Sequence, residues 1–324
     1  MIALAKDVTL VGSSAPMRQL RALIATVAPT RVPVLIEGET GTGKELVAAL
    51  LHRTSGRTGE FVAFNVCAIG DSMFEDALFG HTKGAYTGAL AESLGFLREA
   101  NGGTAFLDEI SGLPLALQAK LLRAIETGVF RPIGASRDAR SDFRPIAATN
   151  ESLTMLVDAG RFRADLRHRL SGIVLHLPSL AERADDIPEL VSHFIRATGR
   201  EVQPTTDALS LLQETPWPGN VRELKQVVDS AVVFARAMLD REAIQMAMIH
   251  RMPAARIGMP RIARLAERTE LVRVLEHSDW NAERAASTLG IHRATIYRRL
   301  KRHGIDVRAE ASSRAMRRTQ PGLR

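Results

Sequence analysis

Cysteine is almost absent: Cys67 is the only one in 324 residues. A disulfide within the chain is therefore excluded, and a zinc site would need His and carboxylate ligands at spacings the sequence does not offer. Long apolar runs are missing as well. No stretch approaches the ~20 residues that span a bilayer. The N-terminal MIALAKDVTLVGSSAP has no sustained apolar segment of the signal-peptide kind. No membrane insertion and a cytoplasmic location follow as expectations. There is no internal repeat. The chain does have the material for a core, with 45% AVILMFWYC and 24% DEKR, so it is not disordered as a whole. Its length suits two or three domains.

Charge is unevenly spread. Residues 251–324 hold 17 Lys and Arg against 7 Asp and Glu, whereas the first 250 residues hold 26 against 29. The net charge of +7 is thus wholly C-terminal. A basic end module beside a near-neutral body suits a phosphate-backbone partner, with a solvated basic tail as the alternative.

Short apolar runs at Val34–Glu37, Phe61–Asn65, Thr104–Asp108, Phe143–Asn150 and Ile173–Leu177 read as strands. Helical patterns such as Leu115–Glu126 lie between them, which predicts an α/β fold with a mainly parallel sheet and flanking helices. After Pro178 the strand signals stop, and Ala184–Thr198, Thr205–Glu214 and Val221–Met238 read as helices. RMPAARIGMPRI, residues 251–262, reads as a linker.

The strongest signal is VLIEGETGTGKE, residues 34–45. An apolar strand ends at Gly38, a glycine-rich turn follows, and a helix begins. Gly38, Gly41 and Gly43 let the backbone N–H groups of Glu39, Thr40, Thr42 and their neighbours turn inward. The helix N-terminus adds partial positive charge, and Lys44 reaches the β/γ-phosphates of a nucleotide such as ATP. Glu45 stands where the general pattern has Ser or Thr, so one direct Mg2+ ligand is missing. GGTAFLDEI, residues 102–110, delivers Asp108 and Glu109 at a strand's carboxyl edge. Asp108 would hold Mg2+ through water, and Glu109 would orient and deprotonate the attacking water.

Further motifs have two readings each. Thr149 and Asn150, in PIAATNESL, could cap the next helix or sense a γ-phosphate. Arg163 and Arg169 lie in GRFRADLRHRL, a solvated basic face or a functional one. In WPGNVREL, Asn220 reads as an N-cap and Glu223 completes a capping box. Arg222 is then left in the first turn, where a cation opposes the helix dipole unless an anion lies nearby. HTKGAYTGAL, residues 81–90, is too glycine-rich for a helix and too poor for a core. It suits a mobile surface finger with glycines for hinging and one aromatic, Tyr86, to press on a partner.

Residues 268–305 read as three helices. Leu271, Val274 and Leu275 make one apolar stripe; Ala285, Ala286 and Leu289 make the next, ending at the turn glycine Gly290. The third helix, His292–His303, sets Ile296 and Leu300 against Arg293, Arg298, Arg299, Lys301 and Arg302. This is a helix-turn-helix whose basic second helix would lie in the major groove of double-stranded DNA, with Thr295 and Tyr297 at phosphates or bases.

Together these motifs resemble the AAA+ ATPases, and among them the bacterial enhancer-binding proteins that activate sigma-54 RNA polymerase. The resemblance covers about residues 9–250 and the C-terminal module, which is similar to the Fis type. Its most specific element is Gly84–Ala89, GAYTGA here and GAFTGA in the family; Ala85, Thr87 and Gly88 match as they stand. GETGTGKE, with Glu45, is also typical. The resemblance implies an α/β subdomain over 1–178, a helical lid over 179–250, a linker over 251–262, a DNA-binding module over 263–305 and a basic tail over 306–324. It implies that residues 84–89 engage sigma-54 and that Asn65 restrains Glu109 until the γ-phosphate is read. Thr149 and Asn150 would form the first sensor, Arg222 the second, and Arg163 and Arg169 the fingers reaching a neighbouring subunit's ATP. The family's active form is a hexamer bound to an enhancer-like DNA site, hydrolysing ATP to remodel the sigma-54 holoenzyme closed complex.

The P-loop begins at Gly38, as in the phage-shock and Hrp-type activators that lack an N-terminal sensory domain, so control would come from a separate regulatory protein or from abundance. Four departures stand out: Tyr86 for phenylalanine, Ala77 for a frequent Glu, Leu90–Ser93 for a commonly basic stretch, and Leu97 for a frequent Glu. They motivate an alternative, a DNA-binding regulator that uses ATP only to assemble. A helicase or replication initiator would leave the hexapeptide unexplained.

Overall fold

The computed structural model describes residues 9–251 apart from 69, 71, 72 and 236, and, further on, 271–275, 278, 280–288, 296 and 300. The chain divides into two compact units, residues 1–241 and 242–324.

In the first unit, strands β1 (Val34–Glu37), β2 (Phe61–Asn65) and β3 (Thr104–Asp108) are those the apolar runs predict. A short antiparallel pair, β4 (Val129–Phe130) and β5 (Ala139–Arg140), stands apart from the sheet. Strands β6 (Arg144–Thr149) and β7 (Ile173–His176) complete a five-stranded parallel sheet of order β2-β3-β6-β1-β7. Side chains alternate across it. Val34 and Ile36 join a core with Met17, Leu20 and Ile24 of α1 (Ala15–Val27) and Val47 and Leu51 of α2 (Lys44–Arg53). Leu35 turns to the other face, among α3 (Phe74–Phe79), α4 (Phe96–Glu99), α5 (Leu115–Thr127), α6 (Leu153–Asp158) and α7 (Ala164–Leu170). Burial on both faces is why these strands are near-continuous apolar runs rather than alternating ones. Each fully buried aliphatic side chain contributes about 1.5–3 kcal/mol.

One buried cation stabilises this arrangement. Arg144, 1% exposed, donates to Val32 O (3.1 Å), Ala28 O (2.7 Å) and Val27 O (3.0 Å). It thereby satisfies carbonyls that the end of α1 would leave bare. Burial pushes its pKa below the usual guanidinium value.

After β7 come α8 (Ile187–Ala197), α9 (Thr206–Glu214) and α10 (Asn220–Phe234). The absence of strands expected here is corrected by one detail. β8 (Gln203–Pro204) and β9 (Met238–Leu239) form a two-residue parallel pair, too short to leave a periodic signal. Helix α10 also stops at Phe234, short of the expected Met238.

Helix α11 (Arg241–Arg251) begins at the boundary of the second unit. There Leu271, Val274, Leu275, Ala285, Ala286, Ile296 and Leu300 share one buried cluster with Trp280 and Ala282. The apolar stripes of the sequence thus meet as one core. Gly290, Leu289, the linker from residue 252 on and the tail lie outside the described residues.

Candidate nucleotide site

The parallel register aligns the strand ends. Asn65 stands opposite Asp108, and Glu37 lies between Thr149 and His176, so the polar tips share the carboxyl edge of the sheet. The glycine-rich turn sits at this edge, tied down where Gly38 N donates to Thr149 O (3.2 Å).

Gly43 precedes α2 in the left-handed region, φ 107°, and Gly41 has φ 81°. A Cβ at Gly41 would lie 2.2 Å from Gly219 O, so only glycine fits. Lys44 is 7% exposed. Its ammonium donates to Gly38 O (3.0 Å) and Glu39 O (3.4 Å) and lies 3.7 Å from a Glu109 carboxylate oxygen. Thr42 Oγ1 donates to Glu39 O (2.8 Å).

At the end of β3, Glu109 adopts φ 52°, ψ 48°, a strained conformation for a residue with a side chain. Asp108 Oδ1 accepts from Glu109 N (3.1 Å), and Asp108 Oδ2 accepts from Asn65 Nδ2 (3.1 Å). Asn65 was expected on Glu109. Here it binds Asp108 instead, because the strand register sets those two side by side, while Glu109 turns toward Lys44. The acidity of this corner also reaches Cys67. Burial first, then Glu109, Asp108 and Glu151, push its thiol pKa up.

A cavity of about 410 Å3 opens between the turn and the helices after β7. Its polar end holds Thr40–Glu45, Asp108, Glu109 and Arg222; Leu10, Val11, Leu190 and Phe194 form an apolar wall. That polarity suits a nucleotide, with phosphates at one end and a base at the other.

Of the sensor candidates, Thr149 is fully buried and donates to Glu151 O (3.0 Å), and Asn150 donates to Thr40 Oγ1 (3.1 Å). Arg222 lines the cavity, and its backbone N–H donates to Gly41 O (3.2 Å). Arg163 and Arg169 are exposed around α7 and do not line this cavity; Arg163 pairs with Asp165 (2.7 Å).

The capping box is corrected. Gly219, not Asn220, caps α10, and Glu223 reaches back to Gly219 N (2.7 Å). Asn220 is fully buried with φ 51°, and its side chain faces the turn at Glu39 and Thr40. Sequence spacing fits a capping box equally well, and a positive φ leaves no trace in spacing.

Arg183 was missed altogether. It is 4% exposed, lines the cavity, and donates to Thr42 O (3.1 Å) and Met17 Sδ (2.9 Å). Burial lowers its pKa. Its neighbours in AERADDI made it look like part of a solvated charged stretch.

The hexapeptide is folded down rather than extended. Gly84 N donates to Ala89 O (2.9 Å) and Ala89 N to Tyr86 O (3.0 Å), closing Gly84–Ala89 on itself. Tyr86 is 47% exposed. Its hydroxyl donates to Asp76 Oδ2 (3.2 Å), and its ring lies 5.1 Å from that of His81, which also binds Asp76. Thr87 and Gly88 are exposed, Ala85 is partly buried and Ala89 is buried. The candidate DNA contacts Arg293, Thr295, Tyr297, Arg298, Arg299, Lys301 and Arg302 lie outside the described residues.

A parallel sheet with a phosphate loop on its carboxyl edge and a helical lid beyond it is the architecture of an AAA+ ATPase. The sigma-54 interaction domain matches residues 10–176, the AAA+ ATPase lid domain 181–256, and the Fis family of bacterial regulatory proteins 262–303. The chain belongs to the family of sigma-54-dependent regulators. It is 38% identical over 332 residues to regulatory protein LuxO of Vibrio cholerae, covering 93% of this chain and 62% of LuxO. It is 36% identical over 339 residues to the DNA-binding transcriptional regulator NtrC of Rhizobium meliloti, covering 92% of this chain and 70% of NtrC. The chain therefore spans less than two thirds of LuxO. Among solved structures, NtrX of Brucella abortus in complex with ATP is similar with TM-score 0.68 and 32% identity, covering 91% of this chain and 69% of that one. Among the described residues no helix is long and apolar enough to cross a membrane.

Proposed function

We propose that this chain is a sigma-54-dependent transcriptional activator that hydrolyses ATP as a ring, a hexamer as in its family, to remodel the sigma-54 holoenzyme closed complex. The observation that carries the reading is the meeting of Lys44 and Glu109, 3.7 Å apart, at the polar end of a cavity with an apolar far wall. Lys44 and the inward N–H groups of the turn would hold the phosphates. Glu109 would take the proton of the attacking water, and Thr149 and Asn150 would report the γ-phosphate. Asp108 fits Mg2+. Each of its oxygens makes one hydrogen bond above and keeps a lone pair, and among the described residues no cluster of three His, Cys, Asp or Glu holds a metal unaided. The ion would thus be shared with the phosphates, through water, and would neutralise their charge.

Arg163 and Arg169, exposed and away from the chain's own cavity, suit fingers that complete a neighbour's site. NtrX, solved with ATP, supports the nucleotide assignment. The match to the Fis family supports binding to an enhancer-like DNA site, and the hexapeptide Gly84–Ala89 would contact sigma-54. Open-complex formation by sigma-54 holoenzyme on a supercoiled template tests the reading. It should require this protein and hydrolysable ATP, and should be lost in Tyr86→Ala and Thr87→Ala with ATPase activity retained. Opening supported equally by a non-hydrolysable analogue would favour a regulator that only assembles on ATP.

A further inference from the structure

The Asn220 side chain makes three hydrogen bonds from a site with no solvent access. Its Oδ1 accepts from Leu180 N (2.7 Å), where the chain passes from the sheet into the helices after β7. Its Nδ2 donates to Glu39 Oε2 (2.9 Å) and Thr40 O (3.1 Å), in the phosphate turn. The next turn of chain adds Arg222 N to Gly41 O (3.2 Å), and Gly219 O closes over Gly41. Residues 219–222 thus grip residues 39–41, and Thr40 and Gly41 line the cavity together with residues 42–45.

The site makes two independent demands. It needs one acceptor and two donors on a short side chain, which only a carboxamide supplies. It also needs a residue that tolerates φ 51°, which asparagine does better than other residues with a side chain. Aspartate would turn an acceptor toward the Glu39 carboxylate and the Thr40 carbonyl. Serine would have a single donor.

We infer that Asn220 is a positioning residue for ATP hydrolysis, locking the first turn of α10 to the phosphate loop so that Arg222 faces the nucleotide. This rests on the ATPase reading above. Asn220 is not itself among the residues lining the cavity and acts through Glu39, Thr40 and Arg222.

The test uses the full-length protein, ATP turnover, binding of a fluorescent ATP analogue, and thermal melting of each variant. Asn220→Asp should raise the KM for ATP by about tenfold, the scale expected when a buried acceptor faces two others, with a smaller fall in kcat. Adding Glu39→Gln to Asn220→Asp reverses donor and acceptor across the pair, and should recover most of that loss. A purely structural role predicts no such rescue. If Asn220→Asp turns over like the parent protein, or if the double variant is no better than Asn220→Asp alone, the inference is wrong. Should Asn220→Asp fail to fold, Glu39→Ala alone decides, since Glu39 is exposed and alanine removes the acceptor that a glutamine carbonyl would keep. It should also raise the KM, and an unchanged KM overturns the role. Absence of turnover in the parent protein would instead sink the ATPase reading, so the two failures are distinguishable.

Discussion

The nucleotide site and the hexapeptide loop are held in opposite ways. At the nucleotide site, hydrogen bonds join parts of the chain remote in sequence: Asn220 to Glu39, Asn150 to Thr40, Arg183 to Thr42, Asn65 to Asp108. The bonds of Gly84–Ala89 are local, and the longest, Tyr86 to Asp76, reaches ten residues back. Breaking a bond of the first kind separates whole elements and is opposed by the packing around them. Breaking one of the second releases only a turn, at a net cost of about 0.5–1.5 kcal/mol. Chemistry needs fixed distances, whereas a surface that must reach a partner needs cheap release.

Three perturbations probe this contrast. The largest effect should come from Arg163→Ala or Arg169→Ala, with ATP turnover falling roughly 10³–10⁵-fold, as for an arginine finger. Mixing either variant with Glu109→Gln subunits should restore some turnover, because certain interfaces then pair an intact Glu109 with an intact arginine. No recovery at any ratio would confine the arginines to their own subunit. Next, Glu109→Gln should cut turnover by about 10²–10⁴-fold while keeping affinity for a fluorescent ATP analogue, since the phosphate cradle is untouched. Near-normal turnover would assign the base elsewhere.

The smallest effect belongs to the loop. Tyr86→Phe removes one hydrogen bond, so amide exchange at residues 84–89 should quicken about 2- to 12-fold, with ATP turnover and melting temperature nearly unchanged. A large fall in turnover would show that loop and nucleotide site are less separate than their bonding suggests.

Much of the nucleotide site was legible because its physics is local in sequence. Glycines at 38, 41 and 43 announce a tight turn, and strands buried on both faces announce themselves as apolar runs. The bounds of β1, β2 and β3 follow directly. What escaped depends on distance. Asn220 fits a cap by spacing, and only the fold shows Glu39 and Thr40 beside it. Arg183 is charged and lies among charged neighbours, and nothing in AERADDI tells that it is buried under Thr42. The loop's composition suits a mobile finger but does not reveal its resting place, because Asp76 is an ordinary carboxylate until the fold brings it to the Tyr86 hydroxyl. That hydroxyl, the one atom by which the hexapeptide exceeds the family's phenylalanine, is also the atom that ties it down.

The backbone at Glu109 bears on the history such a protein can have. A side chain held at φ 52° costs of order 1–3 kcal/mol, and glycine would adopt the same turn freely. Mutation toward a sturdier fold therefore points away from the carboxylate that the proposed chemistry needs. The ion pair to the nearly buried Lys44 pulls the other way, so the backbone strain at position 109 and the charge it pairs with are set against each other, and selection for turnover tips the balance toward glutamate.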